Sequence, residues 1–190
     1  KQNAITFLGF DCDVGVKRNK GRVGAADGCD TLKSAMGNFA YHLDNTKLYD
    51  AGKVVASEDL NESQEVLASH VTKLLTKNHF PIILGGGHEV AYASFLGLFN
   101  SLKKKKNIAV LNFDAHFDLR VNKEATSGTP FSQMAILCQK HKVEYNYMCL
   151  GISKASNTKA LFKKAKELNV KHILDTKMTY VNFQKIINKL

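Results

Sequence analysis

No stretch of this 190-residue chain is apolar for the roughly 18 residues that a membrane helix requires. The start, Lys1–Gly9, offers no small-residue cleavage site after a long apolar core, so it does not read as a secretory signal. It also lacks an initiator methionine, and we read the chain as a fragment of something longer. The four cysteines, Cys12, Cys29, Cys138 and Cys149, form no Cys-x-x-Cys pair. That spacing argues against a zinc finger and against a disulfide scaffold, so the expected home is a reducing, cytoplasmic one. Repeats, low-complexity tracts and an interdomain linker are all missing, and the expectation is one domain over 1–190. Aromatic residues do not interleave with basic ones in a stripe, so the net charge of +10 is no argument for a nucleic-acid partner. The one basic block, Lys103–Lys106, reads as a solvated helix end that complements the helix dipole.

What remains is the composition of a soluble globular protein, with 44% hydrophobic and 23% charged residues. Short apolar runs alternate with longer amphipathic ones. Strands are expected at Ala4–Phe10, Leu48–Val55 (broken by Gly52), Phe80–Leu84, Ile108–Phe113, Tyr145–Ile152 and His172–Leu174. Helices are expected over Asp30–Ala40, Asn61–Lys77, Glu89–Leu102, Pro130–Lys140, Asn157–Leu168 and Tyr180–Leu190, with Asn61 capping the second and Gln64 answering it. Asp11–Gly28 reads as a long glycine-rich loop. Strand–helix alternation with near-continuous apolar strands predicts an α/β fold whose mostly parallel sheet is covered on both faces, a three-layer α/β/α arrangement. In such sheets ligands gather beyond the carboxyl ends of the strands.

Two features sit at such ends. An apolar strand runs straight into Asp114–Ala115–His116–Phe117–Asp118. In extended backbone, residues two apart project to one side, so Asp114, His116 and Asp118 are expected to converge. Two carboxylates and an imidazole suit Mn²⁺, Fe²⁺ or Zn²⁺, whereas an all-oxygen Ca²⁺ site has no use for the histidine. A second apolar strand ends in Gly85–Gly86–Gly87–His88–Glu89, which brings His88 to the same sheet edge. Taken singly, each feature has a plain structural explanation: a glycine triplet is a turn, and Asp118 can cap a helix. Together they offer four metal-ligand candidates. Past the second motif, Arg120 is a bidentate partner for a carboxylate or simply a surface arginine. Ser127 bonds a carboxylate or caps the helix opening at Pro130.

At these residues the chain resembles the ureohydrolases, the family of arginase, agmatinase and formimidoylglutamase. Gly85–Glu89 is similar to that family's first metal motif, and Asp114–Asp118 matches its second. Asp13–Gly15, Arg18–Asn19, Gly21–Ala25 and Ser127–Phe131 resemble the formimidoylglutamase branch. The resemblance implies an arginase-like fold and two Mn²⁺ ions, with His88 and Asp118 on one, His116 on the other and Asp114 bridging. It implies hydrolysis of a small amidine or guanidine substrate, N-formimidoyl-L-glutamate first, with Asp118 as the catalytic proton acceptor. It also implies a homo-oligomer without membrane or nucleic-acid partners. The family's later Asp-x-Asp motif is not found here. Asp175 stands alone, so the last strands are expected to be missing, and a catalytically incomplete folding or assembly module is the competing expectation. Thr129–Pro130–Phe131 replaces the histidine that arginases carry after Ser-Gly, which argues against arginase itself. A zinc-dependent amide deacetylase on a similar sheet is the remaining alternative.

Overall fold

The computed structural model describes residues 3–102 and 108–188. The chain divides into two compact units, Lys1–Lys104 with Asn122–Pro130, and Lys105–Val121 with Phe131–Leu190. The basic block Lys103–Lys106 lies outside the described residues.

The first unit contains β1 (Asn3–Asp11), α1 (Val14–Arg18), α2 (Gly28–Met36), β2 (Thr46–Val55), α3 (Leu60–Thr76), β3 (His79–Leu84) and α4 (Val90–Ser101). Its three strands run parallel in the order β2-β1-β3. β1 is central, and its Leu8 and Phe10 are buried against Leu60, Leu67 and Val71 of α3 and Ala93 of α4. Burying each such side chain stabilises by about 1.5–3 kcal/mol. Gly52 does not break β2. It takes a left-handed φ of +76° where the register against β1 slips between Phe7 and Gly9, so the strand continues through a bulge.

α3 begins one residue earlier than the sequence predicts. Its cap is Asp59, whose side chain accepts from the backbone N–H of Asn61 and of Glu62. Asp59 takes this role because its backbone is extended while Asn61 is already helical. Gln64, expected in the capping box, is instead buried and donates to the carbonyl of Glu89 at 2.9 Å. Val66 falls outside the buried face and is 42% exposed. The expected loop Asp11–Gly28 contains α1 and a short 3₁₀ turn, Ala25–Asp27. Arg18 pins this region by donating to the carbonyls of Ala125 and Glu58, a structural role.

The second unit contains β4 (Ala109–Phe113), α5 (Pro130–Lys140), β5 (Asn146–Ile152), α6 (Lys159–Glu167), β6 (Lys171–Leu174) and α7 (Phe183–Ile187). Its strands are again parallel, in the order β4-β5-β6. The central β5 buries Tyr147, Met148, Cys149, Leu150 and Ile152, the near-continuous apolar run of a strand covered on both faces. Pro130 opens α5, as its fixed φ favours. Phe131 stacks on Tyr147 with ring centroids 4.3 Å apart. The final helix is shorter than the sequence suggests, because a 3₁₀ turn at Tyr180–Asn182 precedes the five residues of α7. Among the described residues every strand pairing is thus parallel and the α/β class stands, with the strands distributed over two three-stranded sheets.

Candidate metal centre

In the second unit β4 delivers the Asp-Ala-His-Phe-Asp segment, but the strand stops at Phe113. The sequence-based picture of continuous extended backbone to Asp118 therefore needs correction. Asp114 still bonds to β5 through its N–H, which donates to the carbonyl of Leu150 at 3.0 Å. Beyond it one more backbone bond follows, from the N–H of Ser153 to the carbonyl of Ala115 at 3.0 Å, and a side chain adds the rest. The amide of Asn157 donates to the carbonyls of Ala115 (2.7 Å) and Ser153 (2.8 Å), and its oxygen accepts from the N–H of Phe117 (3.0 Å). Tyr147 donates its hydroxyl to the carbonyl of Phe117 at 3.2 Å. Burial pushes the Tyr147 phenol well above its ordinary pKa, so it stays protonated and remains a donor.

Phe117 points inward, edge-on to both Phe162 and His172, and Leu119 is buried as well. These two anchors leave Asp114, His116 and Asp118 on the less buried side, so the alternation survives although the strand does not. Asp118 reaches its place through φ +46°, a left-handed conformation uncommon for a residue with a side chain. Asp114 and Asp118 present carboxylate oxygens within 4.8 Å of one another. Carboxylates this near repel unless a cation or a proton joins them, and the pair suits a divalent metal. His116 is the most exposed of the three. Its N–H donates to Asp114 Oδ1 at 2.9 Å, and its ring Nδ1 lies 3.2 Å from the same oxygen. Arg120 is exposed, and its carbonyl accepts from Ser132 Oγ.

In the first unit His88 is partly buried between the glycine turn and α4. Gly85 and Gly86 have φ +80° and +75°, and their neighbours leave no room for a side chain. A Cβ on Gly85 would lie 2.6 Å from the backbone nitrogen of Cys29, and one on Gly86 2.8 Å from the carbonyl oxygen of Phe10. Gly86 donates to the carbonyl of Ala25 and Gly87 to that of Cys12. Glu89 is fully buried, and one of its oxygens accepts from the N–H of Gly15 (2.9 Å) and the thiol of Cys12 (3.4 Å). Burial raises the pKa of the Glu89 carboxyl, and burial beside that carboxylate pushes the Cys12 thiol up to about 12. Ser127 is partly buried. It donates its N–H to the carbonyl of Gly15 at 3.1 Å, in a turn tied by Thr126 and Thr129.

Sequence reasoning missed Asn157 and the Cys12–Gly15–Glu89 cluster. Asn157 carries no periodic signal, being a loop residue whose partners are backbone atoms distant in sequence. Glu89 stood beside a metal-ligand candidate, and only its place between glycines marks it as buried.

The arginase family model matches residues 3–190. A formimidoylglutamase of Chromobacterium violaceum is 49% identical over 175 residues, covering 92% of this chain and 56% of its own length. One of Vibrio parahaemolyticus is 45% identical over 199 residues, covering 98% of this chain and 58% of its own length. The chain therefore spans little more than half of the curated relatives it matches. Among solved structures, Bacillus subtilis formimidoylglutamase superposes with a TM-score of 0.79 at 24% identity, over 98% of this chain and 61% of that one. Trypanosoma cruzi formiminoglutamase with Mn²⁺ gives 0.80 at 23% identity, over 92% and 61%. At these identities the likeness establishes the arginase-like α/β fold.

Proposed function

This chain belongs to the arginase family, and from that premise we propose that it carries ligands of a dinuclear Mn²⁺ centre that hydrolyses N-formimidoyl-L-glutamate to L-glutamate and formamide. The ligands in this reading are His88 from the first unit and Asp114, His116 and Asp118 from the second. The observation that carries it is the pair of carboxylates, Asp114 and Asp118, held within 4.8 Å by an anchored segment. Relatives at 42–49% identity bear the name formimidoylglutamase, which supports the substrate. The Mn²⁺ in a formiminoglutamase of the same fold supports the metal.

Bound metal of this kind acidifies a water and polarises the carbon under attack. The protein's own groups do the rest. Asp114 and Asp118 supply the negative charge that two dications need, and Asp114 orients the ring of His116. A carboxylate oxygen of Asp118 accepts the proton of the attacking water, which adds to the amidine carbon. The bond from that carbon to the glutamate nitrogen then breaks, the nitrogen takes up a proton, and formamide leaves. Arg120 and Ser127 are the proposed partners of the substrate carboxylates, Arg120 through paired N–H donors.

The four cysteines are buried and unbridged, which supports a reducing, cytoplasmic setting. No helix among the described residues is long and apolar enough to cross a membrane. A homo-oligomer belongs to the same proposal, and sedimentation of the whole protein measures it. The deciding experiment supplies the full-length protein with Mn²⁺ and N-formimidoyl-L-glutamate and detects formamide. Urea released from arginine instead moves the assignment to arginase, and turnover of acetylated amines with zinc moves it to a deacetylase.

A further inference from the structure

The proposed chemistry leaves one buried acid unused. Glu89 follows His88 directly, is fully buried, and is neither a metal ligand nor a substrate contact in the reading above. Its carboxyl lies between two glycines from different segments. A Cβ on Gly15 would stand 2.4 Å from the carboxyl carbon, and one on Gly87 would stand 2.2 Å from Oε2. Both glycines therefore make room for this one group, Gly87 from within the turn that bears His88 and Gly15 from the segment after β1. Oε1 takes the N–H of Gly15 at 2.9 Å and the thiol of Cys12 at 3.4 Å. The Cys12 carbonyl takes the N–H of Gly87 at 3.1 Å, closing a ring of contacts around the turn. The carbonyl of Gly15 accepts from Ser127 at 3.1 Å, so the two peptide groups flanking one residue join Glu89 to the Ser127 turn. On the far side Gln64, itself buried, holds the Glu89 carbonyl at 2.9 Å.

We infer that Glu89 is a positioning residue, which fixes the direction of His88 toward metal and, through Gly15, the place of Ser127 toward substrate. A buried carboxylate accepting backbone and thiol protons is a stiff clamp, since moving it strands those donors. Groups behind a metal ligand characteristically set its affinity by 10–100-fold. The inference rests on the metal reading of His88.

The test uses the full-length protein and Mn²⁺ alone, titrated by calorimetry and followed by the Mn²⁺ paramagnetic resonance signal. Glu89→Asp keeps the charge but draws the carboxyl one methylene away from Gly15. Gly15→Ala keeps Glu89 and pushes its carboxyl from outside the turn. Both variants are expected to raise the Mn²⁺ Kd by about 10-fold or more, and to raise KM for the amidine substrate. A merely structural role predicts a lower urea midpoint with unchanged Mn²⁺ affinity in the folded protein, and that result overturns the inference. If Glu89→Asp fails to fold, Gly15→Ala carries the test, and wild-type affinity in that variant is equally fatal. Wild-type protein that binds no Mn²⁺ defeats the metal reading itself. Wild-type binding with unaltered variants defeats only the role of Glu89.

Discussion

The two ligand-bearing segments are held by opposite means. The Gly85–Glu89 turn is fixed by removing side chains: backbone approaches backbone, and one buried carboxylate packs against Gly87 and Gly15. The Asp114–Asp118 segment is fixed by adding them: Phe117 and Leu119 plug the interior while Asn157 adds side-chain hydrogen bonds to the two backbone bonds at Asp114 and Ala115. The first design tolerates almost no substitution in its backbone positions but leaves His88 few alternatives. The second tolerates changes on its exposed side and places three polar groups at once. The contrast predicts where each segment breaks.

The largest effect tests whether both segments serve one metal centre. Asp114→Asn and His88→Asn are each expected to weaken Mn²⁺ binding to the full-length protein by more than about 100-fold, beyond the range of outer-sphere changes. Calorimetric titration reads it. Full affinity in His88→Asn would leave the acidic segment as a metal site of its own and dissolve the pairing of the two.

Next in size is the backbone of the glycine turn. Gly86→Ala imposes a side chain at φ +75° and drives it into the Phe10 carbonyl, whereas Gly151→Ala meets nothing nearer than 3.5 Å. Gly151, at the bulge of β5 beside Asp114, carries only the conformational cost of its φ of +100°, about 1–3 kcal/mol. Gly86→Ala is expected to exceed it by roughly 1–3 kcal/mol, the range of overpacking penalties. Urea unfolding of both variants gives the difference, and equal losses would show that the turn shifts freely.

Much of this was legible in advance, and the exceptions have a common cause. Short apolar and β-branched runs predicted each of the six strands among the described residues, most plainly β5, whose burial on both faces leaves a near-continuous apolar trace, and least plainly β2, which is mostly exposed. Pro130 marked its helix start because its ring presets φ. The ligand types and their spacing were equally visible in Asp114, His116 and Asp118. What stayed hidden were groups defined by distant partners. Asp59 caps α3 through its own backbone angle, and Gln64 turns from the expected cap to the Glu89 carbonyl across 25 residues. Asp118 reaches its position by a left-handed φ that no spacing rule anticipates.

Asn157 gives a smaller effect than the glycine turn, since the aromatic plug remains. Asn157→Ala removes two donated bonds and one accepted bond around Ala115 and Phe117. The expected loss is about 2–3 kcal/mol, mostly from leaving the Phe117 N–H without its acceptor. Asn157→Asp keeps the acceptor and loses the donors, so it also repels the Ala115 and Ser153 carbonyls. Denaturation midpoints for the pair separate acceptor from donor, and an unchanged midpoint in Asn157→Ala would leave Phe117 and Leu119 as the anchors that matter.

The smallest effect concerns the thiol behind the glycine turn. Cys12 is 1% exposed, and burial next to the Glu89 carboxylate lifts its pKa from 9.0 to about 12. The folded state therefore holds this proton more tightly than the unfolded one. The stability linked to it is complete below pH 9 and drains away as pH rises toward 12. Wild-type protein is expected to lose stability over that window faster than Cys12→Ala, in which the thiol is gone and the background from tyrosines and lysines is shared. Urea midpoints of the two proteins measured between pH 8 and pH 10.5 give the difference in slope, the lower half of the window sufficing because the unfolded thiol ionises first. Parallel slopes would mean that the Cys12 thiol is not buried beside Glu89 in solution, which leaves the N–H of Gly15 as the donor that holds this carboxylate.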